Sequence, residues 1–248
     1  MDRAQISSLA HAEHPVAAPV SSSRVAQLTR RLTPPSGGSV LDLGCGQGAW
    51  LLASAAAHPA AAHLGIDTSA PALATAQAEA QAAGVDVRWV QADAASWDDG
   101  LHDAVLCVGS SHVFGGLDGT LLALRARLKP GGRVILGDTI WEQAPADAAQ
   151  EALEATPDDF PDLAGLVDRV REHGFEVIDG HVSTLEEWDD YEWAWTGALV
   201  RWATQEAAAA EDRSSALQAA REHRDAWLHG YRRYLGFATL VLVDLPDA

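Results

Sequence analysis

The sequence predicts an α/β protein built on a mostly parallel β-sheet with helices on both faces. From residue 39 onward, short apolar runs alternate with helical segments, which is typical of parallel strands joined by right-handed crossovers. The first apolar run, residues 39–43, leads into a glycine-rich turn and then a helix. A β-branched and aliphatic stretch, residues 237–245, predicts a closing strand.

Local signals place the individual elements. In a helix predicted over residues 71–83, Ser69 is the expected N-cap, Pro71 lies in the first turn and Gly84 ends the helix. The other helices are predicted over residues 21–31, 49–57, 117–128 and 163–173. The strands are predicted over residues 39–43, 63–66, 85–91, 103–108, 133–137, 175–178 and 237–245.

Two segments differ from this alternation. Residues 1–38 are rich in Ala, Ser and Pro and are predicted to form an N-terminal helical or lid segment. Residues 39–248 are predicted to form one domain, and residues 184–235 are a long helical insertion between its last two strands. We expect this insertion to be a cap, since it concentrates aromatic residues: Trp188, Tyr191, Trp193, Trp195, Trp202, Trp227, Tyr231 and Tyr234.

Charge and composition exclude several partners. The 248 residues carry a formal net charge of −18, which repels nucleic acid and anionic membranes. No apolar run has the length of a membrane span. Cys45 and Cys107 are the only cysteines and predict reduced thiols in a cytoplasmic protein. No metal site is predicted, because His11 and His14 have no third ligand nearby.

The glycine-rich turn predicts a nucleotide-type cofactor, but its pattern allows two interpretations. Gly44, Gly46 and Ala49 fit the dinucleotide fingerprint, and Asp67 lies at the downstream distance expected for a ribose ligand. Asp42 followed by three alternating glycines instead resembles the D-x-G-x-G-x-G loop of class I S-adenosylmethionine (SAM) methyltransferases. An NAD-linked oxidoreductase is therefore the alternative to a methyltransferase.

The resemblance to class I methyltransferases extends over residues 39–138. Beyond the glycine loop, the matching stretches are residues 65–67, 92–94, 103–108 and 128–133, in the order of that family. Membership implies a seven-stranded sheet whose last strand is antiparallel. It also implies SAM as cofactor and S-adenosylhomocysteine (SAH) as product. The dehydrogenase interpretation is weaker, since Lys129 is the only lysine and no Tyr–Lys pair is available.

The resemblance also implies how the cofactor is held. The glycine loop would present main chain to the methionine part, with Asp42 near the ammonium group. Asp67 would accept hydrogen bonds from the ribose hydroxyls, and Asp93 one from the adenine amino group. Turn capping by Asp67 and helix capping by Asp93 are the alternatives. The predicted cofactor-binding residues are Asp42, Gly44, Cys45, Gly46, Gly48, Asp67, Thr68, Asp93, Ala94 and Val108.

The segment after the fourth strand is the predicted catalytic region. His112 is the candidate general base, since a near-neutral imidazole suits proton removal from a hydroxyl or ring N–H. Ser110 or Ser111 would orient His112 or the substrate, and Ser111 is the second candidate catalytic residue. The alternative is a histidine that only packs against the cofactor or a loop.

Aromatic residues predict the acceptor site. Trp141, Trp188, Tyr191 and Trp195 are the candidate substrate-binding residues, because a planar or partly apolar acceptor fits an aromatic pocket. The alternative is a hydrophobic cap packed on the core. The sequence thus predicts methyl transfer from SAM to oxygen or nitrogen of a small-molecule acceptor. A non-catalytic SAM-binding protein is a further alternative.

Overall fold

A computed structural model describes residue 1 and residues 3–14 and 16–245, and it has the predicted α/β architecture. Residues 2 and 15 of the predicted N-terminal segment and residues 246–248 of the predicted domain lie outside the described residues. The strands are β1 (Ser39–Leu43), β2 (Ala62–Asp67), β3 (Arg88–Gln91), β4 (His102–Val108), β5 (Leu128–Trp141), β6 (Phe175–Val182) and β7 (Leu235–Asp244).

These strands form one seven-stranded sheet in the order β3-β2-β1-β4-β5-β7-β6. The pairs from β3 to β5 are parallel, whereas β7 is antiparallel to both of its neighbours, β5 and β6. The mostly parallel sheet with an antiparallel last strand is therefore confirmed. In such a sheet, ligands are expected beyond the carboxyl ends of the parallel strands.

The helices connect and cover these strands. They are α1 (Arg3–Ala10), α2 (Ser22–Thr29), α3 (Ala49–Ala57), α4 (Ala70–Ala83), α5 (Leu117–Ala126), α6 (Asp147–Leu153), α7 (Leu163–Glu172), α8 (Leu185–Gln205) and α9 (Ala210–Ala226). A 3-10 turn, Ser111–Phe114, precedes α5, and a π-helical turn, Trp227–Tyr231, follows α9. Across residues 3–14 and 16–245, no helix combines the length and the apolarity that crossing a bilayer requires.

Both faces of the sheet are buried. Side chains alternate between the faces along each strand, so Leu41 and Val40 of β1 enter different cores. Leu41 belongs to the core that contains Leu121 of α5 and Leu166 of α7. Val40 belongs to the core that contains residues of α2 and α3. Helices on both faces leave the carboxyl edge of the sheet as the place for a ligand.

Six of the seven predicted strands have different bounds in the structure, and the differences are largest for β5, β6 and β3. The fifth strand was predicted over residues 133–137 but extends over Leu128–Trp141, since it pairs with β7 from Arg133 to Trp141. The third strand was predicted to begin at Val85 but begins at Arg88, where pairing with Leu64 of β2 starts. In both cases pairing with a distant strand, rather than local sequence, determines the length.

Glu187 joins the N-terminal segment to the helical insertion. Its carboxylate completes a capping box with Thr184 at the start of α8. The same carboxylate accepts hydrogen bonds from the Ser21 backbone N–H, at 2.9 Å, and from His181 Nε2, at 2.7 Å. Burial opposes ionisation of Glu187, but these hydrogen bonds prevail and lower its pKa to about 2.

Candidate active site

The loop between β1 and α3 has the backbone of a ligand cradle. Gly44, Gly46 and Gly48 all have positive φ, at 77°, 52° and 81°. A Cβ at Gly44 would collide with the Ser110 side chain, and one at Gly48 would collide with Trp89. Gly46 has no atom within 4 Å of the position a Cβ would take, so its surface is open. The loop therefore packs tightly against the protein at Gly44 and Gly48 and exposes bare backbone at Gly46.

Asp67 at the end of β2 holds this loop in place. Its Oδ2 accepts a hydrogen bond from the Gly46 N–H at 2.8 Å, and its Oδ1 accepts one from the Ser69 N–H at 2.8 Å. The Cys45 N–H also donates to the Ile66 carbonyl at 3.0 Å. Each carboxylate oxygen of Asp67 still has a lone pair for a ligand hydroxyl, since an oxygen can accept two hydrogen bonds.

A cavity of about 660 Å³ lies above the loop. Its volume falls within the range of roughly 300–1,000 Å³ that is usual for small-molecule sites. The N-terminal segment forms the wall opposite the glycine loop. The lining residues are Ser7, Ser8, Leu9, His11, Ala12, Ala17, Asp42, residues 44–50, Asp67, Ser69, Pro71, Ala72, Thr75, residues 108–110 and His112.

The cavity brings together most of the predicted cofactor residues. Thr68, Asp93 and Ala94 are the exceptions among the described residues, since none of them lines it. They nevertheless lie along the same edge of the sheet, because the Ala92 N–H donates to the Asp67 carbonyl at 3.0 Å. Asp93 Oδ1 accepts a hydrogen bond from the Ala95 N–H at 2.9 Å, so this side chain caps a turn, whereas the alternative expected for it was the cap of a helix.

Arg127 fixes the segment that carries Asp93, and sequence reasoning missed it. Its Nε donates to the Trp97 carbonyl at 3.0 Å, and its Nη2 donates to the Ala94 carbonyl at 3.4 Å. Its Nη1 donates to Ala123 at the end of α5. An arginine after a helix carries no sequence signal for this role, because the Ala94 and Trp97 carbonyl groups that it binds belong to a loop about 30 residues earlier in the chain.

Comparison with known proteins decides between the two interpretations of the glycine loop. Residues 40–132 match a family model described as a methyltransferase domain. The uncharacterized protein YjhP of Escherichia coli (strain K12) is 33% identical over 207 residues, which span 82% of this chain and 83% of that protein. The chain belongs to the class I SAM-dependent methyltransferases.

Solved structures show the same fold with the product bound. A SAM-dependent methyltransferase from Thiobacillus denitrificans, in complex with SAH, is 30% identical with a TM-score of 0.85, and the match covers 98% of each chain. A SAM-dependent methyltransferase from Geobacter sulfurreducens, also in complex with SAH, is 27% identical with a TM-score of 0.86 and the same coverage. The cofactor of this methyltransferase is therefore SAM, and the NAD alternative is removed.

Asp42 is an unusual residue for the interior of a parallel sheet. It is only 3% exposed, lies on β1 and lines the cavity. Burial, helped by the negative charge of Asp67, raises the pKa of the Asp42 carboxyl to about 8. Burial also raises the pKa of the Cys45 thiol beside it. Without a cation nearby, Asp42 is therefore protonated at neutral pH and Cys45 is a thiol.

The 3-10 turn after β4 positions the predicted catalytic residues. His112 lines the cavity, whereas Ser111 does not. Ser111 Oγ instead donates to Asp138 Oδ1 on β5 at 3.0 Å, which ties the turn to the sheet. Burial raises the pKa of Asp138, partly offset by hydrogen bonds from Thr139 and Ser111 and by the charge of His112. Sequence reasoning missed Asp138, because its hydrogen-bond partner Ser111 lies 27 residues away in the chain.

The predicted aromatic residues do not share one pocket, and none of the four lines the glycine-loop cavity. Trp188 and Tyr191 pack edge to face, with ring centroids 6.3 Å apart. Trp195 stacks on His223 at 3.8 Å inside the helical insertion. Trp141, the last residue of β5, lines a different cavity. Packing therefore separates the residues that the sequence grouped.

The N-terminal segment supplies contacts that the sequence did not reveal. His11 lines the cavity, and its Nε2 lies 3.0 Å from the Tyr191 hydroxyl of α8. Its Nδ1 lies 2.7 Å from the Ser7 carbonyl, so Nδ1 carries the proton and Nε2 accepts from tyrosine. Burial is the main cause that lowers the pKa of His11. Among the described residues no group of three His, Cys, Asp or Glu could hold a metal ion.

The raised pKa of Asp42 predicts a pH-dependent stability. An aspartate in an unfolded chain has a pKa of about 3.9, so the folded state, with a pKa of about 8, binds the Asp42 proton more tightly. The stability that this group contributes is complete below about pH 4 and is lost as pH rises through about 8. As the pH rises from about 5 to 8, we expect the free energy of unfolding to fall less in Asp42→Asn than in the wild type. Urea unfolding without ligand measures this; parallel pH profiles would contradict it.

Proposed function

We propose that this enzyme transfers the methyl group of SAM to an oxygen or nitrogen atom of a small-molecule acceptor. The observation that carries the proposal is the cavity of about 660 Å³ that the glycine loop, Asp67 and His112 line together. A cavity of this volume is typical of sites for small molecules. The net charge of −18 also disfavours nucleic acid as a substrate.

The residues around the cavity fit SAM. The open backbone at Gly46 allows close approach of a ligand, and the start of α3 offers N–H groups without intrahelical partners. We assign the ammonium group to Asp42, the ribose hydroxyls to Asp67, and the adenine to Asp93 and Ala94 with Thr68 and Val108 beside them. When bound, SAM supplies a methyl group on a positively charged sulfur. The positive charge would favour the ionised form of Asp42.

His112 is proposed to take the proton that the acceptor loses. Its imidazole lies in the cavity wall on a turn fixed by the hydrogen bond between Ser111 and Asp138. The proton moves from the acceptor O–H or N–H to an imidazole nitrogen. The charge of the half-buried Asp138 carboxylate then stabilises the imidazolium. Ser111 is accordingly a positioning residue rather than a proton acceptor.

Residues 1–38 are proposed to act as a lid, anchored on the insertion of residues 184–235. Helix α1 packs on α8, and Glu13 forms an ion pair with Arg201, with Arg201 Nε 2.7 Å from Glu13 Oε1. On the other side, Gln47 Nε2 of the glycine loop donates to the His11 carbonyl at 3.4 Å. A lid that forms one wall of the cavity must move for SAH to leave. Such a lid also excludes water from the reacting groups.

A cytoplasmic location is proposed on the basis of both cysteines. Cys45 and Cys107 are free thiols, and Cys107 is buried. Reduced thiols are typical of proteins in reducing compartments.

Cofactor binding is the first test. Titration calorimetry should show binding of SAM and SAH and none of NAD. We expect Asp67→Asn to weaken SAH binding by roughly tenfold or more, because hydrogen bonds to a charged acceptor contribute about 1.5–3 kcal/mol each. Asp86→Asn, an exposed acid remote from the cavity, is the control and should leave the affinity unchanged. Binding of NAD but of neither sulfur compound would reject the assignment.

Loss of the proposed base should separate turnover from binding. We expect His112→Ala to lower methyl transfer by roughly 10²–10⁴-fold, the usual contribution of general base catalysis, with SAH affinity nearly unchanged. SAH release over a panel of small phenols, amines and thiols measures transfer, and calorimetry measures affinity. The exposed His229→Ala serves as control. If turnover and affinity fall equally, or neither falls, His112 has only a packing role.

Release of SAH should depend on the contacts between the lid and α8. Tyr191→Phe removes the hydroxyl that bonds His11, and Glu13→Gln removes the ion pair with Arg201. We expect the double variant to release SAH about fivefold faster or more, since one hydrogen bond contributes roughly 1 kcal/mol. Stopped-flow tryptophan fluorescence measures the rate, with Tyr234→Phe as a matched control. An unchanged rate in the double variant would show that the segment is a fixed wall.

A further inference from the structure

The turn that carries His112 also borders a second cavity of about 660 Å³. Gly115, at the C-terminal end of the turn, lines this second cavity, whereas His112 lines the first. The remaining wall comes from residues 141–145 after β5, residues 157–162 before α7, and the facing sides of α5 and α7. Among the described residues, none lines both cavities. The second cavity is therefore a separate space at the same end of the sheet.

An aromatic pair forms the apolar part of the second cavity. Trp141 and Phe160 pack edge to face, with ring centroids 5.2 Å apart. Trp141 is only 4% exposed, yet its Nε1–H has no hydrogen-bond partner among the described residues. A buried donor without an acceptor is costly, and such groups are rare in folded proteins. The indole N–H of Trp141, a residue of the cavity wall, is thus a donor that a ligand bound there could satisfy.

The charged part of the cavity is strongly acidic. Five carboxylates line it against a single guanidinium, that of Arg169; the carboxylates belong to Asp118, Glu142, Asp158, Asp159 and Asp162. Arg169 is already engaged by Asp118 in an ion pair. The cavity thus keeps a large excess of negative charge after its internal ion pair is counted.

Two of these carboxylates, those of Glu142 and Asp158, are free to bind a ligand, whereas Asp162 and Asp159 already accept hydrogen bonds. Asp162 caps α7 by accepting a hydrogen bond from the Gly165 N–H at 2.7 Å, and Asp159 accepts one from the Thr156 N–H at 2.6 Å. Glu142 and Asp158 have no side-chain hydrogen bond or ion pair within residues 3–14 and 16–245. Glu142 follows Trp141 directly, and Asp158 lies two residues before Phe160. Each free carboxylate therefore lies within two residues of one ring of the aromatic pair.

We propose that the second cavity binds a small organic cation, an amine-bearing molecule with an apolar or aromatic body. The aromatic pair would contact the body and the ammonium group by packing and cation–π attraction, and Glu142 and Asp158 would pair with the charge. This inference rests on the proposed function and deepens it by naming the class of acceptor. A protonated amine has no lone pair for methyl transfer, so the methylated atom is a different one, on the His112 side of the turn.

The test uses three probes of similar shape and different charge: 2-phenylethylamine, 2-phenylethanol and phenylacetate. Ligand-observed NMR and calorimetry on the full-length protein should detect the amine, weaker binding of the alcohol and none of the carboxylate. We expect Glu142→Gln combined with Asp158→Asn to weaken amine binding roughly fivefold or more, since each exposed ion pair contributes up to about a factor of five. Glu79→Gln combined with Asp86→Asn changes the net charge equally at exposed positions elsewhere and should have no effect.

Saturating SAH separates this inference from the proposed function. Amine binding should persist in the presence of SAH, because the two cavities share no lining residue among those described. The inference is overturned if SAH displaces the amine, if phenylacetate binds as well as the amine, if both double variants act equally, or if no probe binds. If the proposed function is wrong, the calorimetric titration shows no binding of SAH.

Discussion

The hydrogen bond from the Gly46 N–H to Asp67 Oδ2, at 2.8 Å, is the constraint on which the site depends. It closes the loop after β1 against the end of β2 and requires Asp67 to be a hydrogen-bond acceptor. The charge of Asp67 in turn helps keep the buried Asp42 protonated. Two carboxyl groups that face one cavity therefore have different environments, because Asp67 accepts hydrogen bonds from backbone N–H groups and Asp42 is desolvated.

Helix α8 organises the other side of the cavity. Glu187, Tyr191 and Arg201 of this helix each bind a residue of the N-terminal segment: Ser21, His11 and Glu13. The aromatic residues of the insertion largely pack among themselves and around these contacts, as the stacking of Trp195 on His223 shows. The insertion thus holds the N-terminal segment against α8, beside the glycine-loop cavity. This explains why its rings do not form the single open pocket that their spacing predicted.

The turn after β4 lies between two chemically different spaces. Gly109, Gly115 and Gly116 flank it with positive φ, at 71°, 78° and 103°, conformations that a residue with a side chain rarely adopts. Its anchor is the hydrogen bond from Ser111 to Asp138 on β5. A short turn held at its start and bounded by glycines can present an imidazole to one cavity and bare backbone to the other. Substrate charge and reaction chemistry can therefore be recognised in separate places.

The sequence by itself determined the sheet, the cofactor class and the glycine-loop residues. Those features depend on short-range patterns: apolar period, glycine spacing and the acids that end successive strands. Tertiary structure alone decided the length of β5, the link from Arg127 to the Asp93 loop, and the separation of Trp141 from the aromatic residues of α8. Each of these depends on contact between residues distant in sequence. Such contacts arise from packing and strand pairing, which leave no periodic signal in the chain.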